Sequence, residues 1–166
     1  EDDKLLEEII GLTEYPIPIL GEIPKELLSI PEEVIVTSMK EHQKFLSLRS
    51  IANGKVEGFL VVADLQTQDH QKTILSGNMR VLYSRLKDAI FFYQNDLKLV
   101  KKNGMRAWNN KLKSVRFHEK LGSQFDRVER IVKIAVLLAK QFDLDLDAVR
   151  KAATLVKADL ASSLVA

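Results

Sequence analysis

The chain has 166 residues, of which 46% are apolar and 29% charged, with a formal net charge of +2 and no cysteine. That is enough apolar mass for one sizeable core or two small ones in contact, and the charge is too mixed in sign for a disordered polyelectrolyte. Structural disulfides and thiolate metal sites are excluded, and no run of about 18 apolar residues exists to span a membrane.

The opening EDDKLLEE is acidic where a signal peptide is basic. A chain that starts without methionine and stops at ASSLVA reads as a fragment of something longer. Pro16, Pro18, Gly21, Pro24 and Pro31 break up residues 15–31, which are expected to be extended or looped. PEEVIVTSMKEH (31–42) places Pro at a helix start, followed by two acids that suit the N-terminal dipole, so a short helix is predicted. QKFLSLRS and EGFLVVADL flank IANGKV, whose Asn53-Gly54 pair signals a β-hairpin.

Leu75, Met79, Leu82, Leu86, Ala89, Tyr93 and Leu97 recur at helical spacing. Gly77 and Asn78 leave the start of that helix open, with Ser84 as an alternative N-cap. Phe125, Val128, Ile131, Ala135 and Leu138 mark a second helix, and a final one is expected from Leu146 to the C-terminus, capped by Asp145 or Asp147. The fold class is therefore α+β to about residue 110 and all-helical beyond it.

Charge is unevenly distributed. Residues 1–33 carry a net −8, residues 34–118 a net +9 and residues 119–166 a net +1. KLVKKNGMRAWNNKLKSVR (98–116) holds seven Lys or Arg and no acid, with Trp108 among them. A one-sign segment with an embedded aromatic suits phosphate contact and base stacking; equally, it describes a solvated linker whose Trp108 packs on a neighbour.

Catalytic motifs are missing. There is no G-x-x-x-x-G-K-[ST] or G-x-G-x-x-G loop, no G-x-S-x-G elbow and no H-E-x-x-H pair. His42, His70 and His118 are far apart and none has a metal-ligand partner at i+3 or i+4. Asp143, Asp145 and Asp147 alternate with apolar residues and suit helix entry better than acid–base work.

Five blocks occur in order: TEYPIPILG, TSMKEHQKFL, ILSGNMRVLYSRLKDAIFFYQND, FHEKLGSQFDRVERI and LVKADLASSLV. Together they resemble the β subunits of the tetrameric bacterial glycyl-tRNA synthetases, over nearly the whole chain. That resemblance implies a partnership of two α subunits, which hold the class II site for glycine, ATP and magnesium, with two β subunits that mainly bind tRNA-Gly. It implies a cytoplasmic protein, no membrane partner and no cofactor within this chain. Residues 1–110 are expected to be like the editing-region module of phenylalanyl-tRNA synthetase β, and residues 111–166 like the start of an HD-phosphohydrolase-type helical module. Both modules are implicated by the family in holding the tRNA acceptor arm.

An HD site needs histidine on one helix and a His-Asp pair on the next. The matching positions here are Gln124 and Ala158-Asp159, so two of three ligands are gone and the hydrolytic chemistry is expected to be lost. A hydrogen bond within the helical module is the plain reading of Asp159. No nucleophile, base and oxyanion set supports editing either, and a glycine pocket can reject larger amino acids sterically. The expected role is non-catalytic acceptor-arm binding through Lys40, Lys44, Arg80, Arg85, Lys98, Lys101, Lys102 and Arg106, with His42 and Trp108 adding hydrogen bonding or stacking. Rival readings are that Lys40 and Glu41 pair with other surface charges, that the chain is a structural module docking the α subunit, or that it is an HD-type metal-dependent phosphohydrolase.

Overall fold

The computed structural model describes residues 2–165. In chain order it contains α1 (Asp3–Leu12), β1 (Ile17–Glu22), a 3₁₀ turn (Lys25–Ser29), α2 (Glu32–Gln43), β2 (Leu46–Arg49) and β3 (Val56–Ala63). There follow α3 (Lys72–Asn103), α4 (Arg106–Lys111), β4 (Arg116–His118), β5 (Gly122–Ser123), α5 (Gln124–Gln141), α6 (Leu146–Leu155) and a second 3₁₀ turn (Ala158–Ala161). The chain forms two compact units, and the boundary between them falls between Phe91 and Phe92, inside α3. The module boundary expected near residue 110 is a different kind of division.

The first unit is built on a three-stranded antiparallel sheet in the order β1-β3-β2. The hairpin forms where Asn53-Gly54 signals it: Gly54 takes φ 71°, and the Asn53 side chain accepts from the Lys55 N–H at 2.8 Å. The proline-broken stretch contains an additional strand. β1 pairs with β3, from Ile17 opposite Ala63 to Glu22 opposite Gly58, and Pro18 is tolerated because β1 is an edge strand. Phe45 and Phe59 stack at 4.8 Å between ring centroids in the centre of this core, both almost fully buried. Leu5 and Ile9 on α1, and Ile35 and Met39 on α2, are buried at i, i+4 spacing, so each helix gives one apolar stripe to the core.

α3 begins earlier than the glycine suggests. The Asp69 carboxylate accepts from the Thr73 N–H at 2.8 Å and from the Thr73 hydroxyl at 2.5 Å, anchoring the first turn. Hydrogen bonds from the Thr67 and Thr73 hydroxyls pull its pKa down to about 2. Gly77, Asn78 and Ser84 all lie inside the helix, so Ser84 caps nothing.

In the second unit α3 ends at Gly104, with φ 68° and an N–H that donates to the Val100 carbonyl at 2.8 Å. Leu112, Val128 and Ala161 form a buried cluster, with Trp108, Val115, Phe125, Val132 and Leu160 packed against it. Ser123 caps α5 in a capping box with Asp126, and Asp145 caps α6 by accepting from the N–H groups of Asp147 and Ala148. The all-helical expectation beyond residue 110 needs correcting, because β4 and β5 pair as a small antiparallel ribbon. The final helix also stops at Leu155 instead of continuing. The chain turns so that Ser162, Ser163 and Leu164 can donate to Asp96, a stronger acceptor than another helical carbonyl.

Candidate nucleic-acid interface

Lys40, His42 and Lys44 cluster at the C-terminal end of α2. The Lys44 N–H donates to the Lys40 carbonyl and the Phe45 N–H to the Met39 carbonyl, so the helix closes in an αL cap with Lys44 at the left-handed position (φ 55°). Much of the KEHQK segment is therefore local helix-stop chemistry. Two of its cations are also engaged within the molecule: Lys40 Nζ lies 2.5 Å from Asp2 Oδ2, and Lys44 Nζ lies 2.9 Å from Glu8 Oε1. The Asp2 hydrogen bond raises the Lys40 pKa, and the same bond, with help from the Leu5 N–H, lowers that of Asp2. The acidic start of the chain thus neutralises part of the basic motif, which matches the rival pairing reading for Lys40. His42 is exposed on the last turn, where a cation suits the helix dipole.

The other cations are placed differently. Arg80 and Arg85 are exposed on the first part of α3. In the second unit, Lys98, Lys101 and Lys102 sit at i, i+3 and i+4 on the last turns of α3, with Arg106 opening α4, and all four are exposed. Among the described residues, ion pairs join only Lys40 to Asp2, Lys44 to Glu8 and Arg49 to Glu32, so none of these six cations is paired. Like charges at i, i+4 oppose a helix by a few tenths of a kcal/mol, and the C-terminal dipole offsets part of that for Lys101 and Lys102. Trp108 is half-buried against the Leu112 cluster, and its indole Nε1 is buried without a hydrogen-bond partner among the described residues. Its position is that of a packing residue, the alternative to an open stacking platform.

The HD-matching positions do not assemble a ligand set. Gln124 opens α5, and its side-chain Oε1 is buried without a partner among the described residues. Ala158 is fully buried, while Asp159 is exposed on the 3₁₀ turn. The Asp159 carboxylate makes no hydrogen bond among the described residues, contrary to expectation; only its backbone carbonyl accepts, from the Ser162 N–H at 2.9 Å. No group of three or more His, Cys, Asp or Glu among the described residues is placed to hold a metal. No helix among them is long and apolar enough to cross a membrane.

Sequence reasoning passed over Asp96. Its carboxylate accepts from Ser162 Oγ at 2.6 Å, from the Ser163 N–H at 2.9 Å and from the Leu164 N–H at 3.2 Å. The available signal was an acid set one helical turn from Tyr93 in an otherwise uncharged stretch, FFYQND.

Residues 1–166 match the family model described as glycyl-tRNA synthetase beta subunit. The chain is 51% identical over 165 residues to a glycine–tRNA ligase beta subunit of Dinoroseobacter shibae. It is 49% identical to one of Paracoccus denitrificans and 40% identical to one of Neisseria meningitidis. Each alignment covers 99% of this chain but only 23% to 24% of the relative, so the chain spans about a quarter of the length of the curated relatives it matches. On these matches, which run through both compact units, the chain belongs to the glycyl-tRNA synthetase beta subunit family.

Proposed function

We propose that this chain helps a glycine–tRNA ligase hold the acceptor arm of tRNA-Gly, while glycine activation with ATP and magnesium proceeds on α subunits in a two-α, two-β cytoplasmic assembly. The observation that carries this reading is the set of six exposed cations, Arg80, Arg85, Lys98, Lys101, Lys102 and Arg106, unpaired among the described residues. Such groups bind phosphates and release counterions, which positions RNA without reading its sequence. Lys40 and Lys44 join them only if RNA phosphate competes with Asp2 and Glu8. On this reading, residues 111–166 are a helical scaffold of the HD type without its chemistry, since the buried methyl of Ala158 cannot ligate a metal.

A second reading is favoured by one observation. On and just after α5, Ile134, Leu137, Leu138 and Phe142 are 59%, 67%, 48% and 65% exposed, an apolar stripe suited to docking against another part of the synthetase, its α subunit included. The two readings separate in one experiment on the full-length protein. Binding is measured to an acceptor-stem minihelix and to an anticodon stem-loop of tRNA-Gly, with wild type and with Lys98→Ala/Lys101→Ala/Lys102→Ala. Selective loss of minihelix binding supports the first reading. Unchanged affinity for both RNAs counts against it.

A further inference from the structure

The second unit contains a cavity of about 640 Å³ at the end of α3, where α4 faces α6. The two helices are tied by a part-buried bond: Asn109, 5% exposed, donates from Nδ2 to the Thr154 carbonyl at 2.6 Å. Arg106 lies one turn before Asn109 on α4, and Arg150 lies one turn before Thr154 on α6. The bond that joins the helices therefore brings both arginines to the lining of one cavity, with Lys151 beside them. A single carboxylate, Asp147, shares the lining, which leaves two positive charges in excess. Among the described residues none of the three cations is in an ion pair. Two arginines on the lining of one cavity, unpaired among the described residues, are suited to a phosphate, which a guanidinium can grip bidentately. The volume exceeds that of one phosphate, and Met105 and Leu155 supply apolar walls for a sugar or base.

We propose that Arg106, Arg150 and Lys151 form a nucleotide-binding pocket that grips a phosphate group, carried by an RNA strand or by a free nucleotide. The RNA source rests on the acceptor-arm reading above; the pocket itself does not. Asn109 is a positioning residue, since it touches the helix across the cavity and not the ligand.

The test uses the full-length protein as wild type, as Arg106→Ala/Arg150→Ala and as the charge-keeping Arg106→Lys/Arg150→Lys, with circular dichroism as the check on folding. The probes are the acceptor-stem minihelix, titrated across a salt series, and AMP. With RNA as the source, the alanine pair binds the minihelix about tenfold or more weakly per arginine removed, and its salt slope is shallower by about one per lost phosphate contact. The lysine pair recovers the slope but only part of the affinity. If wild type binds AMP and not the minihelix, and the alanine pair loses AMP, the pocket stands as a free-nucleotide site and the acceptor-arm reading falls. If the minihelix binds with unchanged affinity and slope in the alanine pair and AMP does not bind, the pocket is overturned and Arg106 leaves the phosphate-contacting set, while the acceptor-arm reading stands on the other five cations. Binding of neither probe overturns both.

Discussion

Asp96 and Ser162 stand 66 positions apart, and the Ser162 hydroxyl donates to the Asp96 carboxylate at 2.6 Å. With the N–H groups of Ser163 and Leu164 on the same carboxylate, this residue fastens the last described turn of the chain to α3. Burial alone raises the Asp96 pKa, but the three donors outweigh it and the net shift is downward.

Replacing Asp96 with Ala leaves the buried Ser162 hydroxyl and the Ser163 N–H without their acceptor, while the Leu164 N–H keeps Ser162 Oγ at 3.1 Å. Urea unfolding is expected to show a loss of about 2–3 kcal/mol, and hydrogen exchange should accelerate at residues 162–164. A carboxyl whose folded pKa is depressed contributes stability above its unfolded pKa of about 3.9 and loses that contribution as pH falls through the folded value. The stability difference between wild type and Asp96→Asn is therefore flat from pH 7 to 5 and shrinks below about pH 4.

Gly21 sits directly across the sheet from Phe59, whose ring lies over its backbone. A Cβ at this position runs into that ring, and the ring cannot retreat because it is fully buried and stacked on Phe45. Gly21→Ala is expected to cost about 1–3 kcal/mol or more by overpacking, read from the denaturation midpoint. Gly11 meets nothing within 4 Å, so Gly11→Ala is the control and should not destabilise α1.

Lys44 separates structure from binding. Its φ of 55° is a glycine-type conformation, and its ion pair with Glu8 is at the surface. Lys44→Gly should relieve the strain by about 0.5–1 kcal/mol while losing a surface pair that contributes about the same or less. Thermal stability is expected to be equal or higher, and a fall of several degrees would count against the left-handed cap at Lys44.

The sequence was informative where chemistry is local. Asn53-Gly54 marked the hairpin, and Asp145 or Asp147 the start of α6, where Asp145 is the cap, because each acts through bonds to its immediate neighbours. It failed where partners are distant. Gly77 and Asn78 weaken a helix by about 1 kcal/mol or less each, and tertiary contact through the fully buried Leu82 and Leu86 overrides them. The charge asymmetry was legible, but the use of Asp2 and Glu8 to neutralise Lys40 and Lys44 was not, since nothing in KEHQK names its partner. The cavity at Arg106 was equally hidden, because Arg150 and Lys151 reach it only through the fold.

That division of the cations into paired and unpaired sets can be tested directly. Minihelix affinity is measured across a salt series for wild type, Lys40→Ala/Lys44→Ala and Lys98→Ala/Lys101→Ala/Lys102→Ala in the full-length protein. The unpaired set is expected to supply the phosphate contacts, so the triple variant should lose about one unit of salt slope per contact removed, while the double variant stays close to wild type. A triple variant with the wild-type slope, beside a double variant that loses its own, would contradict the assignment and return acceptor-arm binding to the end of α2.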